Sequence, residues 1–430
     1  MSPFTDITIF PARNVSGSVR LPGDKSISHR YAMLGAIAEG ETRLENYSTG
    51  ADCASTLGCL QSLGVECERA EGMVVIRGHG PELKAPRRSL DCGNSGSTIR
   101  MLSGILAGQE FTSELVGDDS LSRRPMGRII TPLQAMGATI TAQDGGRPPL
   151  RVSGGHLKGI HYEMPMASAQ VKSCVLLAGL FAEGETSVSE PIRTRDHTEV
   201  ALRAFGGEVE REGNRATIRG GQRLRGIEAL VPGDISSAAF FLCAAALFPG
   251  SQLTVSSLLM NPTRARLLDV LTSLGLRISV TQIEQQHGEL AGTVQAEGGA
   301  LRGTVIAGAD SAALIDEIPV LAAIAPYTAE GIEIRDAREL RVKESDRIAA
   351  IAVCLRAMGA ELEEREDGLK IPGGQRLHGA EIDSFGDHRI AMAFAVAALR
   401  AEGETVIHRA DAAVISYPAF FETLQSLVQR

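Results

Sequence analysis

The sequence has no CxxC pair. Its seven cysteines (Cys53, Cys59, Cys67, Cys92, Cys174, Cys243, Cys354) are odd in number and scattered. A disulfide framework is therefore not expected; reduced, mostly buried thiols of a cytoplasmic protein are. Nine histidines form no HExxH pattern, and no structural metal is expected. The longest apolar run, Ala238 to Phe248, is too short to cross a bilayer. The opening MSPFTDITIF has no basic stretch leading into an apolar core, so neither a signal peptide nor membrane association is expected. A basic excess is missing too. The formal net charge is -9, which argues against nucleic acid as a partner. It does not exclude small anions, because a local cluster of Arg and Lys can set the field in one cleft. There is no GxSxG, no Walker A pattern and no GxGxxG opening a helix after the first strand. Chemistry through a covalent serine or a bound nucleotide is thus not expected.

What is present is a chain of 430 residues, 43% hydrophobic and 22% charged. That composition and length suit a soluble globular protein with two hydrophobic cores. The stretch LPGDKSISHR (21–30) organises the rest. A strand-like lead-in reaches Pro22–Gly23, then a polar knot, then an apolar helical run. Asp24, Ser26 and Ser28 are residue types that cap helix starts. Lys25 and Arg30 add two cations where free backbone N–H groups already favour an anion.

The same unit recurs with a period of roughly 70 residues. Its knots are GDKSIS (23–28), GNSGST (93–98), MASAQVKS (166–173), GDISSA (233–238), GADSAALIDEIP (308–319) and GDHRIAM (386–392). Each follows a short strand and enters an Ala/Leu-rich helix. LGV (63–65), MGA (136–138), FGG (205–207), LGL (274–276) and MGA (358–360) read as glycine ends of second helices. EGET recurs at 39–42, 183–186 and 402–405 as the loop into the next strand. The pattern is β-α-β-α-β-β six times, three units to a domain. Helices apolar on most faces, such as 238–248 and 390–399, belong inside a domain with the sheets outward. The expected division places residues 1–20 with 235–430 and leaves 21–234 as the other domain. The first strand, up to Arg20, is expected to pair with the second half. The active site is expected in the cleft between the domains.

Cations cluster around the knots: Lys25, Arg30, Arg100, Lys172 and Arg389 within or beside them. Arg123 and Arg124 stand before Pro125, read as a helix start. Arg341, Lys343 and Arg347 surround Glu344, and TRDHTE (194–199) adds Arg195 and His197. A single Arg reads as a solvated surface charge. Recurrence at equivalent places of a repeat, with the two-oxygen fork of guanidinium, reads as an anion site. IDEIP (315–319) puts adjacent Asp316 and Glu317 in an apolar stretch; on a helix one would face a cleft and the other solvent. Asp316 and Glu344 are candidate proton-transfer groups, with a base role favoured by the cations nearby.

Together LPGDKSISHR, GNSGSTIR, RPMG, SAQVKS, TRDHTE, IDEIP, RVKESDR and GDHRIAM resemble the motifs of the 5-enolpyruvylshikimate-3-phosphate synthase family of enolpyruvyl transferases, along essentially the whole chain. The resemblance implies an inside-out α/β barrel in each of two domains, six βαβαββ repeats in all. It implies transfer of the enolpyruvyl group of phosphoenolpyruvate to the 5-hydroxyl of shikimate 3-phosphate, through a tetrahedral intermediate. It implies release of phosphate, no metal or cofactor, a cytoplasmic monomer and a glyphosate target. It implies Lys25, Ser26, Arg30, Ser168, Ala169, Gln170, Arg195, Asp316 and Lys343 as shikimate 3-phosphate contacts. It implies Lys25, Asn94, Gly96, Arg124, Gln170, Arg347, His388 and Arg389 as phosphoenolpyruvate contacts, with Asp316, Glu344 and Lys25 moving protons. Two positions depart from the family pattern. Ile415 or Ser416 stands where many members carry Lys, and Ala169 where some carry Ser. The sister enzyme acting on UDP-N-acetylglucosamine typically uses a loop Cys, and this chain has none between Cys92 and Cys174.

Overall fold

In the computed structural model, residues 5–70 and 72–430 are described. The chain divides into two compact units. The N-half unit holds residues 23–231 and 285–289; the C-half unit holds the described residues up to Pro22, with 232–284 and 290–430.

Within the N-half unit three four-stranded sheets share one plan. Glu228–Leu230 runs parallel to Glu39–Glu45, which pairs antiparallel with Met73–His79, itself antiparallel to Glu66–Ala70. The same order joins Leu90–Asp91, Thr112–Val116, Arg147–Ser153 and Thr139–Gln143. It recurs in His161–Glu163, Glu185–Ser189, Arg215–Arg219 and Val209–Glu212. In the C-half unit Asn14–Arg20 runs parallel to Gln252–Leu259, with Glu289–Glu297 and Arg277–Gln286 beyond it. Thr304–Ile306, Ile332–Ile334, Gly368–Ile371 and Glu363–Arg365 repeat the plan. So the strand leading into the first knot serves the fourth repeat, and the strand leading into the fourth knot serves the first. The expected pairing of the N-terminal strand with the second half is what occurs. The sixth repeat differs from the expected unit. Its parallel pair, Glu381–Asp383 and Thr405–His408, receives Ile7–Ile9 from the chain's other end instead of a hairpin.

Five of the inner helices are Lys25–Ile37, Gly96–Ala107, Ala169–Gly179, Ile235–Ala246 and His388–Ala398; all but a few of their residues are buried. Burial on every side explains their lack of a polar face. Gly104 is required for this packing: a Cβ there would lie 2.2 Å from the Cys174 carbonyl oxygen of the neighbouring helix. The second helices end as the sequence predicts. Gly64, Gly137, Gly206, Gly275 and Gly359 all have positive φ, which a side chain would strain.

The helix starts are capped by Asp24, Ser95, Ser168, Asp234 and Asp387, each accepting a backbone N–H of the first turn. In the first knot the cap is Asp24 alone. Ser28, one of the expected caps, is buried and accepts the Ser48 N–H at 3.0 Å. The fifth knot is interrupted: a short helix Ala309–Ala313, a turn, then Ile318–Ile324.

Candidate active site

In the N-half unit, Lys25 is the first residue of its helix. Its Nζ lies 3.1 Å from Asp52 Oδ2, in the first turn of helix Ala51–Ser62. One turn later Arg30 is almost fully buried. It donates from Nε to Thr198 Oγ1 at 2.7 Å, from Nη1 to the Ser26 carbonyl at 2.8 Å and from Nη2 to Ser173 Oγ at 2.7 Å. Burial lowers its pKa to about 10, opposed by Glu199; nearby Arg195 lowers it further. The capping Ser168 begins the helix that carries Ala169 and Gln170. Gln170 Oε1 accepts from Arg100 Nη1 at 2.8 Å, and its Nε2 donates to Ser97 Oγ at 2.9 Å. That joins the second knot to the third. Beside them Arg124 donates from Nη2 to Asn94 Oδ1 at 2.7 Å and to Ser120 Oγ at 3.0 Å. Asn94 Nδ2 in turn donates to Asp118 Oδ2 at 2.8 Å. Gly96 makes room for these guanidinium groups. A Cβ there would lie 2.6 Å from Arg100 Nη1 and 3.3 Å from Arg124 Nη1.

In the C-half unit, Asp316 sits in the turn between the two short helices of the fifth knot. Its carbonyl accepts from Arg389 Nη1 at 2.6 Å. Its Oδ1 lies 3.8 Å from Arg347 Nη1 and 4.0 Å from Lys343 Nζ, and Lys343 also pairs with Glu339 at 3.0 Å. Glu344 Oε2 accepts from Arg347 Nη2 at 2.6 Å. Arg347 further donates from Nε to Asp387 Oδ2 at 2.8 Å. Burial alone would weaken the charge on Arg347, but Asp387, then Glu344, more than reverse that and hold its pKa above the ordinary value. Asp387 shows the converse: burial pushes its carboxyl up, but the Arg347 charge, His388 and the hydrogen bond from Arg347 together outweigh burial, and the net shift is downward. His388 and Arg389 follow Asp387 as the first residues of their helix, both buried.

The structure therefore gathers Lys25, Ser26, Arg30 and Arg195 in one unit with Asn94, Gly96, Arg124, Ser168, Ala169 and Gln170. It gathers Asp316, Lys343, Glu344, Arg347, His388 and Arg389 in the other.

Four expectations are corrected. Lys172 is fully buried between Glu190 and Glu199, each 2.9 Å away, and offers its charge to no ligand. His197 is likewise buried, 2.7 Å from Glu289. Asp316 and Glu317 do not lie on a helix; both stand in the turn before Ile318–Ile324. Glu317 is buried rather than turned to solvent, accepting from Ser236 Oγ with Arg264 at 3.7 Å. Pro125 does not open a helix; the helix begins at Gly127, after Met126. Of the other cations, Arg123 is exposed, and Arg341 is tied to Asp346 and Glu364. Ile415 and Ser416 end a 3-10 turn and are half-buried.

Two residues that hold the site in place were not singled out from the sequence. Asp52 faces Lys25, and Asp387 faces Arg347. The signal for Asp387 was its place before His388–Arg389 at a helix start, where Asp also caps.

Residues 9–424 match the family described as EPSP synthase (3-phosphoshikimate 1-carboxyvinyltransferase). The chain is 61% identical, over 99% of each protein, to the 3-phosphoshikimate 1-carboxyvinyltransferase of Koribacter versatilis. It is 56% identical to that of Solibacter usitatus, over 99% of this chain and 100% of that one. Among solved structures it resembles EPSP synthase from Acinetobacter baumannii, with a TM-score of 0.87, 43% identity and 98% of each chain covered.

Proposed function

The chain belongs to the EPSP synthase family, and we propose that it carries out the reaction for which its relatives are named. It transfers the 1-carboxyvinyl group of phosphoenolpyruvate to the 5-hydroxyl of shikimate 3-phosphate, a step of aromatic amino-acid biosynthesis. The observation that carries this reading is 61% identity to a 3-phosphoshikimate 1-carboxyvinyltransferase over 99% of both chains.

Lys25, Ser26, Arg30, Ser168, Ala169, Gln170 and Arg195 hold shikimate 3-phosphate, whose phosphate suits guanidinium and helix-start N–H groups. Asp316 and Lys343 take its ring hydroxyls. Asn94, Gly96, Arg124, Gln170, Arg347, His388 and Arg389, with Lys25, hold phosphoenolpyruvate. Asp316, close to Arg347 and Lys343, accepts the proton of the 5-hydroxyl. The hydroxyl oxygen then bonds to C2 of phosphoenolpyruvate, and C3 gains a proton from Glu344 or Lys25. In the second step C3 returns a proton, the double bond re-forms, and the C2–O bond to phosphate breaks. The side chains bind, orient and move protons; no electron carrier is needed for this balance. Arginine and lysine donors stabilise the charge that develops, each worth about 3 kcal/mol of barrier when preorganised. Ile415 and Ser416 leave any cation at that end to come from the residues above.

The test is phosphate release by the purified protein. Release is expected with shikimate 3-phosphate plus phosphoenolpyruvate. Release only with UDP-N-acetylglucosamine in place of shikimate 3-phosphate would transfer the assignment to the sister reaction. We also read the protein as cytoplasmic, supported by its seven free cysteines, and as a monomer. Elution from a sizing column at twice the 45.5 kDa chain mass would overturn the monomer.

A further inference from the structure

The strands Arg277–Gln286 and Glu289–Glu297 form a hairpin whose tip, residues 285–289, belongs with the N-half unit. Three polar contacts fix the tip there. Gln286 Oε1 accepts the Leu230 N–H at 2.9 Å, His287 Nε2 lies 2.8 Å from the Glu228 carbonyl, and Glu289 Oε1 lies 2.7 Å from His197 Nδ1. Gly288 lies against helix His197–Ala204: a Cβ there would come within 3.0 Å of Val200 Cγ1.

Glu289 is 3% exposed and His197 1%. Burying a carboxylate is costly unless specific partners hold it. His197 is one such partner, and it opens the helix whose second residue is Thr198. Thr198 Oγ1 accepts from Arg30 Nε at 2.7 Å and lies 2.6 Å from Ser173 Oγ, which accepts from Arg30 Nη2. With Ser26 on Nη1, the described residues take three of the five N–H donors of the guanidinium. One N–H remains on each Nη. That pair is the fork that meets two oxygens at once. Glu289 also acts on Arg30 through its charge, opposing the effect of burial on the guanidinium.

We propose that His197 and Glu289 are positioning residues for Arg30. The hairpin tip fixes His197, His197 fixes the first turn of its helix, and that turn presents Thr198 to the guanidinium. The remaining fork is thereby held at the angle that receives oxygens of the phosphorylated hydroxy acid. This rests on the reading of Arg30 as a shikimate 3-phosphate contact. Neither residue touches substrate. Their effect should appear in recognition of that one substrate and not in the chemical step.

The experiment is steady-state kinetics of the full-length enzyme with each substrate varied in turn. The variants are Glu289→Gln and Thr198→Val, both close in size to the residue replaced, with Arg30→Gln as reference. For Glu289→Gln and Thr198→Val the KM for shikimate 3-phosphate should rise about tenfold, a factor worth about 1.4 kcal/mol. Their kcat and the KM for phosphoenolpyruvate should stay within about twofold. Arg30→Gln combined with Glu289→Gln should give the KM of Arg30→Gln alone, because the two act through one contact. A merely structural role would lower kcat per milligram as the folded fraction falls and leave both KM values unchanged; that result overturns the proposal. If Arg30→Gln raises this KM and neither Glu289→Gln nor Thr198→Val does, the positioning role fails alone. If Arg30→Gln leaves it unchanged, the reading of Arg30 fails, and the positioning role with it.

Discussion

Arg347 donates to Asp387 from two nitrogens, Nε to Oδ2 at 2.8 Å and Nη2 to Oδ1 at 3.2 Å, with neither side chain more than 1% exposed. The same Asp387 accepts the Arg389 N–H at 2.9 Å and the Ser345 hydroxyl at 3.0 Å. One buried carboxylate thus holds the Arg347 guanidinium, the Arg389 backbone and Ser345 of the loop that carries Lys343 and Glu344.

Asp387→Asn should therefore be costly at neutral pH, on the order of 3 kcal/mol, because it leaves Arg347 buried with only Glu344 and the more distant Asp316 as anions. The sign of the pH dependence follows from the lowered carboxyl pKa in the folded state. The stabilisation from this pair is fully present above the unfolded value of about 3.9, and is lost as pH falls through the lower folded value. Urea melts of both proteins between pH 7 and pH 3 are the check. The gap between them should be widest at pH 7 and shrink below about pH 4. A gap that stays constant would show that the Asp387 charge is not what matters.

Gly96→Ala should raise the KM for phosphoenolpyruvate without unfolding the enzyme. The new methyl would meet the Arg100 guanidinium at 2.6 Å and so disturb its bond to Gln170. The far end of an arginine can swing aside, and Ala suits a helix better than Gly. The melting temperature should hold or rise slightly while KM rises about tenfold. An unchanged KM would show that Arg100 and Gln170 take no part in binding.

Asp316→Asn keeps the size of the side chain and removes the carboxylate proposed as the base. Turnover should fall by about 10²- to 10⁴-fold with little change in melting temperature. Rates measured by phosphate release, alongside calorimetry, separate the two. Near-normal turnover would take proton transfer away from Asp316.

Lys172→Met should act on stability rather than on substrate recognition. Without Lys172, Arg211, at 3.2 and 2.6 Å, is the ion-pair partner that Glu190 and Glu199 keep among the described residues. A loss of about 3 to 5 kcal/mol is expected. Adding Glu190→Gln should restore part of it, since the sites interact directly. The KM values of the remaining folded enzyme should be normal. A selective rise in either KM would return Lys172 to the anion site.

His29 should make the protein less stable in mild acid. It is fully buried, its Nδ1 lies 2.7 Å from Thr56 Oγ1, and burial, then the Lys25 and Arg30 charges, holds its pKa well below 6.5. An unfolded histidine binds a proton that the folded one refuses, so stability is full above about pH 6.5 and falls as pH drops below it. His29→Gln should flatten that slope between pH 7 and pH 5.5. An unchanged slope would mean other groups cause it.

The repeat was legible because it is written in local chemistry. Gly64, Gly137, Gly206, Gly275 and Gly359 mark helix ends that need positive φ, and capping Asp or Ser marks the starts. The rest depended on partners remote in sequence. Nothing near Lys172 announces that Glu190, Glu199 and Arg211 will enclose it, so a cation in a knot read as an anion ligand. Glu317 read as a solvent-facing acid because Ser236 and Arg264, which hold it, lie more than fifty residues earlier. The sixth repeat lacks its hairpin because its antiparallel strand comes from Ile7–Ile9, an exchange across the whole chain that a local period cannot show.

Phosphorus NMR of a single reaction mixture tests the central claim most directly. With enzyme and both substrates, the phosphoenolpyruvate signal should give way to inorganic phosphate, while the 3-phosphate signal of shikimate 3-phosphate moves to that of its enolpyruvyl ether in equal amount. Phosphoenolpyruvate left intact, or phosphate formed equally well without shikimate 3-phosphate, would contradict it.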